Sequence, residues 1–307
     1  MRIVAIADLH YDDETGERVK AVARAVAATK ADVLVIAGDC TGAGPERLPE
    51  VLALFDGFDG HRLMVPGNHD LWQQELPFET WRIYEETIPE MAEQEGFHCL
   101  DQAPLVIDGT AFVGSMGWYD YGMRQTVPPD DGIIVMPIEV VRGEDGRLSF
   151  SAVPGAEEKS WEALEEQDYA PNALVWQTDD RPQVAVWNDA IHLDWQRPAT
   201  EVAELLAQRL SDQVAEVAES SSRVVGVTHF VPFAALADYN FERPGRAFAR
   251  AYIGSALLGE ALMQAPGLEL VIYGHRHRQT VLEVEGVVTA DASVEAGEGP
   301  LLLTLPE

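Results

Sequence analysis

Five apolar runs in this chain each end on a short polar block, and that repeated ending limits the fold more than any other feature. Ile3-Val4-Ala5-Ile6-Ala7 leads into Asp8-Leu9-His10, Val33-Leu34-Val35-Ile36-Ala37 into Gly38-Asp39, and Leu63-Met64-Val65 into Gly67-Asn68-His69-Asp70. Farther along, Val224-Val225-Gly226-Val227 leads to His229, and Leu270-Val271-Ile272-Tyr273 to Gly274-His275-Arg276-His277. Such β-branched runs suit strands buried on both faces. Five strand ends would then deliver polar side chains to one edge of a sheet, where open α/β sheets bind their ligands.

The polar blocks supply carboxylate oxygens, an amide oxygen and several imidazoles, the donor set that holds two adjacent divalent ions. In extended backbone, side chains two apart share a face. Asp8 and His10 can therefore reach one ion while Leu9 turns away, and the same rule pairs His275 with His277 and sends Arg276 elsewhere. Glycines at 38, 67 and 274 stand where the chain must turn sharply without a Cβ.

On these blocks the chain resembles the calcineurin-like metallophosphoesterase superfamily, whose pattern is Asp-x-His, Gly-Asp, Gly-Asn-His-Asp/Glu, His and Gly-His-x-His. All five stand here in order, over about residues 1 to 117 and 222 to 307. The resemblance implies that Asp8, His10 and His277 hold a first metal, that Asn68, His229 and His275 hold a second, and that Asp39 bridges them. His69 would be the catalytic histidine that protonates the leaving oxygen, with Asp70 fixing its tautomer and favouring its charged form. Two ions about 3.5 to 4 Å apart can lower the pKa of a shared water and clamp both oxygens of an in-line displacement. The implied reaction is hydrolysis of a small phosphomonoester or phosphodiester by a metal-activated hydroxide. Manganese heads the candidate metals, with iron, zinc, nickel and cobalt also compatible with mixed nitrogen and oxygen ligation.

Other readings of single residues stand beside this one. A lone His after a strand, such as His229, is commonly a structural residue; Asp39 could cap a turn and Asn68 could occupy a left-handed one. His61, His98 and His192 belong to no block and read as structural or exposed. Cys40 and Cys99 read as small buried thiols, with no disulfide framework.

Charge is the second constraint. The 307 residues carry 52 acidic against 21 basic side chains, a net charge of −31, and three lysines, Lys20, Lys30 and Lys159. So negative a surface repels an anionic ester at low salt, whereas near 1 M salt the Debye length falls to about 3 Å. A host with a salty cytoplasm is the expectation, an ordinary acidic protein the alternative. The same field disfavours a broad nucleic-acid interface. No run of eighteen apolar residues occurs and Met1 leads almost at once into the first strand, so the expectation is a cytoplasmic enzyme with neither signal peptide nor membrane span.

The fold expected is α/β, a four-layer αββα sandwich with two mixed sheets, as one domain over 1–307 with an aromatic-rich insertion or lid at about 118–198. Helical spacing marks Glu14 to Thr29, Pro45 to Phe55, Pro77 to Glu95, Ala199 to Ser220 and Arg246 to Gln264. Leu105 to Ile107 and Ala111 to Val113 read as a hairpin, and strands at Val281 to Val284, Val287 to Ala290 and Leu301 to Leu305 as the end of the second sheet. In the insertion, Trp118 and Tyr119 are placed for substrate contact; the alternative is a satellite core of packed aromatics.

Two subfamilies fit poorly. The Ser/Thr protein phosphatases carry an arginine shortly after the Gly-Asp block, which Cys40 to Gly44 lacks, and purple acid phosphatases carry a tyrosine where Gly42 stands. A nuclease of the same superfamily and a noncatalytic metal-binding scaffold are the remaining alternatives.

Overall fold

The computed structural model of the protein describes residues 1–307 except 144, 179–180, 238, 295–297 and 306–307. In chain order it begins with β1 (Arg2–Ile6), α1 (Gly16–Ala28), β2 (Val33–Ala37), α2 (Leu48–Ala53) and β3 (His61–Val65). Next come α3 (Thr80–Arg82), which passes through one π turn into α4 (Ile88–Gln94), then β4 (His98–Cys99), β5 (Leu105–Ile107) and β6 (Thr110–Ser115). A middle segment adds β7 (Ile134–Arg142), β8 (Leu148–Ala152), β9 (Lys159–Ser160), β10 (Ala173–Gln177), β11 (Pro182–Val186) and α5 (Asp189–His192). The chain continues with α6 (Ala199–Val217), β12 (Arg223–Thr228), α7 (Pro244–Ala249), α8 (Ala256–Leu262), β13 (Leu268–Tyr273), β14 (Thr280–Val284), β15 (Val287–Asp291) and β16 (Leu301–Thr304).

Two mixed sheets lie face to face. One has the order β16-β1-β2-β3-β4 and the other β14-β15-β13-β12-β6-β5. Alternation along each strand divides its side chains between two interfaces. Ile3, Ala5, Val33 and Val35 meet Phe112, Val225, Val227 and Ile272 in the core between the sheets. Val4, Ile6, Leu34 and Ile36 instead face Val19, Val22 and Val26 of α1 and Leu48, Val51 and Leu52 of α2. On the other side α6 packs on β6 and α8 packs on α6. The result is the four-layer arrangement, and since both faces of each central strand are covered, the strands had to be apolar throughout. Each fully buried Val, Leu or Ile contributes about 1.5–3 kcal/mol through area removed from water.

The structure departs from the sequence reading at two places in the C-terminal part of the chain, one strand and one helix. Leu301–Thr304 joins the first sheet, antiparallel to β1 with Ile3 opposite Leu303. The outer edge of β15 is already taken by β14, whereas the outer edge of β1 has backbone groups to satisfy. Arg246 to Gln264 is not one helix. The chain breaks between α7 and α8, where Gly254 bridges Val231 and the Ser255 side chain accepts from the Leu257 N–H to start α8. Any Cβ on Gly254 would collide with the Val231 backbone.

The middle segment builds a third, antiparallel sheet of order β11-β10-β7-β8, with β9 also on β7. Its Trp161 and Tyr169 are buried in the main core, not in a satellite core of their own, while the β10–β11 hairpin reaches the ends of the central strands.

Candidate metal centre

All five polar blocks converge, from the strand ends of two facing sheets rather than from one sheet edge. β1, β2 and β3 belong to the first sheet, β12 and β13 to the second. The side-chain directions do not come from strand alternation. Asp8 (φ 57°), His10 (φ 45°), Asp39 (φ 52°), His275 (φ 71°) and His277 (φ 53°) all lie past the ends of their strands in left-handed backbone. Such a conformation is costly for residues with a Cβ and collects where function over-determines it. It also separates His275 from His277, which reach different clusters. Arg276 does point away, as expected: its side chain donates to the Tyr273 hydroxyl at 3.1 Å and lies 3.9 Å from Asp291.

The first cluster is Asp8, His10 and His277 with one oxygen of Asp39. His10 Nε2 lies 3.4 Å from His277 Nε2, 3.6 Å from Asp39 Oδ2 and 3.9 Å from Asp8 Oδ1. The second cluster is Asp39, Asn68, His229 and His275. His229 Nε2 lies 3.1 Å from Asn68 Oδ1, 3.2 Å from His275 Nδ1 and 3.5 Å from Asp39 Oδ1. The two oxygens of Asp39 thus face different clusters. Oδ1 also accepts the His69 N–H at 2.9 Å, whereas Oδ2 is buried with no hydrogen-bond partner. An orphaned carboxylate oxygen inside a ring of imidazoles has a place only if a cation meets it, so the donor set fits a pair of divalent ions.

Backbone contacts select the tautomers. The His229 Nδ1–H donates to Ala37 O at 2.9 Å and the His275 Nε2–H to Tyr252 O at 3.3 Å, so both remaining lone pairs point into the second cluster. Asp8 is fixed by the Ser293 hydroxyl at 2.7 Å and the His275 N–H at 3.0 Å. Two glycines leave room. Gly38 has φ +86° and a Cβ there would strike the His229 ring; one on Gly274 would come within 2.8 Å of Asp8 Oδ2.

Burial and neighbouring charge set the protonation of the metal-free site. Burial works against a charged Asp39, yet His229, His69 and His10 outweigh it and hold the carboxyl well below its usual range. Burial also opposes a charged His229, but the Asp39 carboxylate lifts it to about 9. Burial lowers His10 to about 4 and, with the His229 charge, holds His275 far down. His10 and His275 are therefore neutral donors near pH 7, and a cation at the second cluster takes the place of the proton on His229.

His69 sits beside the first cluster with its ring centroid 4.5 Å from that of His10. Its Nδ1 meets Gly42 O at 3.0 Å, which directs Nε2 outward, and Trp72 stacks on it at 3.6 Å between centroids. Asp70 does not hold this imidazole. Adjacent residues of the 69–71 turn diverge, and the buried Asp70 carboxylate accepts from Thr41 N (2.8 Å), Thr41 Oγ1 (3.0 Å) and Gly67 N (2.9 Å). It ties together the loops that carry Asp39 and Asn68, and burial raises it to about 6.

Trp118 and Tyr119 are also corrected. They are 1% and 3% exposed, stack on each other, and pack behind the site against Phe230. They border a second cavity, on the far side of Asp189. The cavity over the clusters, about 540 Å³, is walled instead by the middle segment and α7, through Trp176, Trp187 and Phe248.

One important residue stood out in the sequence only within the polar stretch Trp187-Asn188-Asp189, able to reach the site but with no ligand role to assign. Asp189, 2% exposed, accepts from Asn68 Nδ2, Trp72 Nε1 and Trp187 Nε1, each at 2.8 Å. By holding the Asn68 amide N–H, it turns Asn68 Oδ1 toward His229. Ser293 and Asp291, behind Asp8, were missed likewise; only Asp291, an acid ending an apolar run, repeats the pattern of the five blocks.

A family model described as calcineurin-like phosphoesterase matches residues 1–279. Among solved structures, a phosphopantetheinyl hydrolase from Mycobacterium tuberculosis superimposes with a TM-score of 0.63 at 17% identity, covering 95% of this chain and 88% of that one. A dimetal phosphatase from Danio rerio gives 0.46 at 11% identity, over 95% and 86%. No curated protein matches the chain.

Proposed function

Because the chain belongs to the calcineurin-like phosphoesterase family and is a metal-dependent phosphoesterase, we propose that it hydrolyses a small phosphomonoester or phosphodiester. Asp8, His10 and His277 would hold one divalent ion, Asn68, His229 and His275 the other, and Asp39 would bridge them. The observation that carries this is Asp39: one oxygen toward each cluster, the Oδ2 atom without any other partner. Bound ions supply charge neutralisation and an acidified water at the phosphorus.

The chain's own residues supply the rest. The Gly42 carbonyl holds the Nδ1–H of His69 and Trp72 holds its ring, so Nε2 is available to pass a proton to the departing alcohol. Asp70 keeps the turn carrying His69 against the Gly38-Asp39 loop. The β10–β11 hairpin and α7 wall a cavity of about 540 Å³ over the clusters, a volume that suits a small molecule. No helix among the described residues is long and apolar enough to cross a membrane. Manganese, a cytoplasmic setting and a high-salt host are part of the same reading, the last resting on the charge of −31.

The test is hydrolysis of paired nitrophenyl mono- and diesters by metal-stripped protein resupplied with Mn²⁺, at low and molar KCl. Turnover restored by the metal is expected. Silence under every condition with two metals bound, or cleavage of single-stranded DNA in place of the small esters, would overturn the proposal.

A further inference from the structure

Cations are scarce in this protein, with 21 basic side chains against 52 acidic ones, so an arginine left without an acid asks for a reason. Arg276 lines the cavity over the clusters but is committed to the Tyr273 hydroxyl and to Asp291. Arg250, just past α7, donates to Asn240 Oδ1 at 3.1 Å and lies over the Tyr239 ring. Arg243 and Arg246 differ. Among the described residues neither guanidinium has an ion-pair or hydrogen-bond partner.

Local structure holds these two together. Arg243 precedes α7, Pro244 opens it, and the Arg246 N–H donates to Arg243 O at 3.0 Å, so the pair stands three apart at the first turn. The loop in front is anchored by the buried Gln125 side chain, which accepts from the Phe241 N–H at 2.7 Å and donates to Phe241 O at 2.9 Å. Asn240, Phe241, Glu242, Arg243 and Arg246 line a cavity of about 370 Å³ there. Arg246 also lines the cavity over the clusters, with Asn68, His69 and His277. The two cavities therefore adjoin at Arg246. Glu242 shares the smaller one, yet among the described residues no ion pair joins it to either arginine.

Like charges three apart on a helix repel, and a chain so rich in carboxylates could have supplied a counterion. Guanidinium forks suit phosphate oxygens, which they hold through paired N–H donors. The scissile phosphate belongs at the clusters beside His69, so the anion that meets these arginines is a second one.

We propose that Arg243 and Arg246 bind a second phosphate on the substrate, carried by the alcohol that leaves. The proposal rests on the phosphoesterase reading and names its substrate class, a phosphoester whose alcohol bears a further phosphate. In the reaction, water oxygen bonds to the phosphorus at the clusters and the P–O bond to that alcohol breaks. The alcohol leaves with a proton from His69 and its own phosphate intact, while water gives up a proton.

Alkanediol bisphosphates of three to eight carbons, each beside the alkyl monophosphate of equal length, separate the second phosphate from leaving-group chemistry, because all are esters of primary alcohols. In 0.1 M KCl the Mn²⁺-loaded protein should favour the bisphosphate in kcat/KM by roughly threefold to thirtyfold at its best length, after halving for its two equivalent ends, the yield of two exposed ion pairs. Calorimetry of alkanediphosphonates against alkylphosphonates should show a similar preference. Arg246→Gln and Arg243→Gln should each cut both ratios severalfold, as should 1 M KCl. Arg24→Gln, which removes the same charge from the exposed side of α1, should leave them unchanged. A ratio near one at every length, one that survives both cavity substitutions, or one that falls as far in Arg24→Gln overturns the subsite. If neither ester turns over, the phosphoesterase reading fails, and the phosphonate ratio alone decides whether the arginines bind a second anion.

Discussion

Asp189→Asn tests whether the middle segment tunes the metal centre. The carboxylate accepts three hydrogen bonds, Oδ1 from Asn68 and Trp72 and Oδ2 from Trp187. An amide offers one acceptor oxygen. If that oxygen keeps Asn68 and Trp72, the new NH₂ faces the Trp187 N–H, donor against donor; if it turns round, two donors are stranded. At least one buried hydrogen bond to a charged acceptor is lost, about 1.5–3 kcal/mol. Loss of an outer contact that orients a ligand lowers metal affinity about 10- to 100-fold, or about 1.4–2.7 kcal/mol. The loss should fall on the cluster containing Asn68 and spare that of Asp8, His10 and His277. Calorimetric titration of metal-free protein with Mn²⁺ resolves the two steps, and Trp187→Phe, which removes only one donor, gives the reference. Equal weakening of both sites, or weakening of neither, would refute the reasoning.

His69→Ala should retain both metals and lose about 10²- to 10⁴-fold in turnover, most for poor leaving groups, in a series of substituted aryl esters; an equal loss across the series would exclude His69 as the acid. Asp101 is half-buried, with its carboxylate turned inward to accept from the Tyr84 hydroxyl and the Met116 N–H, and desolvation raises it to about 6. Between its unfolded value and about 6 the folded state holds more protons, so its contribution to stability is present at low pH and declines as pH rises through that window. Relative to Asp101→Asn, the unaltered protein should lose up to about 3 kcal/mol between pH 4 and 6.5 in urea unfolding, and a constant difference would contradict it. Raising KCl from 0.1 to 1 M shortens the Debye length from about 10 to 3 Å, so the melting temperature and Mn²⁺-dependent turnover should both rise; a fall in both would remove the high-salt argument.

Much of this molecule was legible in the chain because it rests on local chemistry. Strand runs buried on both faces must be apolar along their whole length, and a polar block after each one is visible without coordinates. Hence β1, β2, β3, β12 and β13, and the gathering of Asp8, His10, Asp39, Asn68, His229, His275 and His277, could be anticipated. The means of gathering could not. Left-handed backbone at five of these positions, not strand alternation, aims the side chains, and alternation would have sent His275 and His277 to the same ion.

What only the tertiary structure decided depends on partners distant in sequence. Asp70 lies next to His69 but serves Thr41 and Gly67, because a turn sends adjacent side chains apart. β16 goes to β1 rather than to the second sheet because free backbone groups, not sequence order, select a strand's neighbour. Asp189 reaches Asn68 across 121 positions, and Trp118 and Tyr119 sink into the packing while Trp176 and Trp187 take the wall. Spacing carries information over one turn or one strand; a hydrogen bond across a hundred residues exists only once the chain has folded to make it.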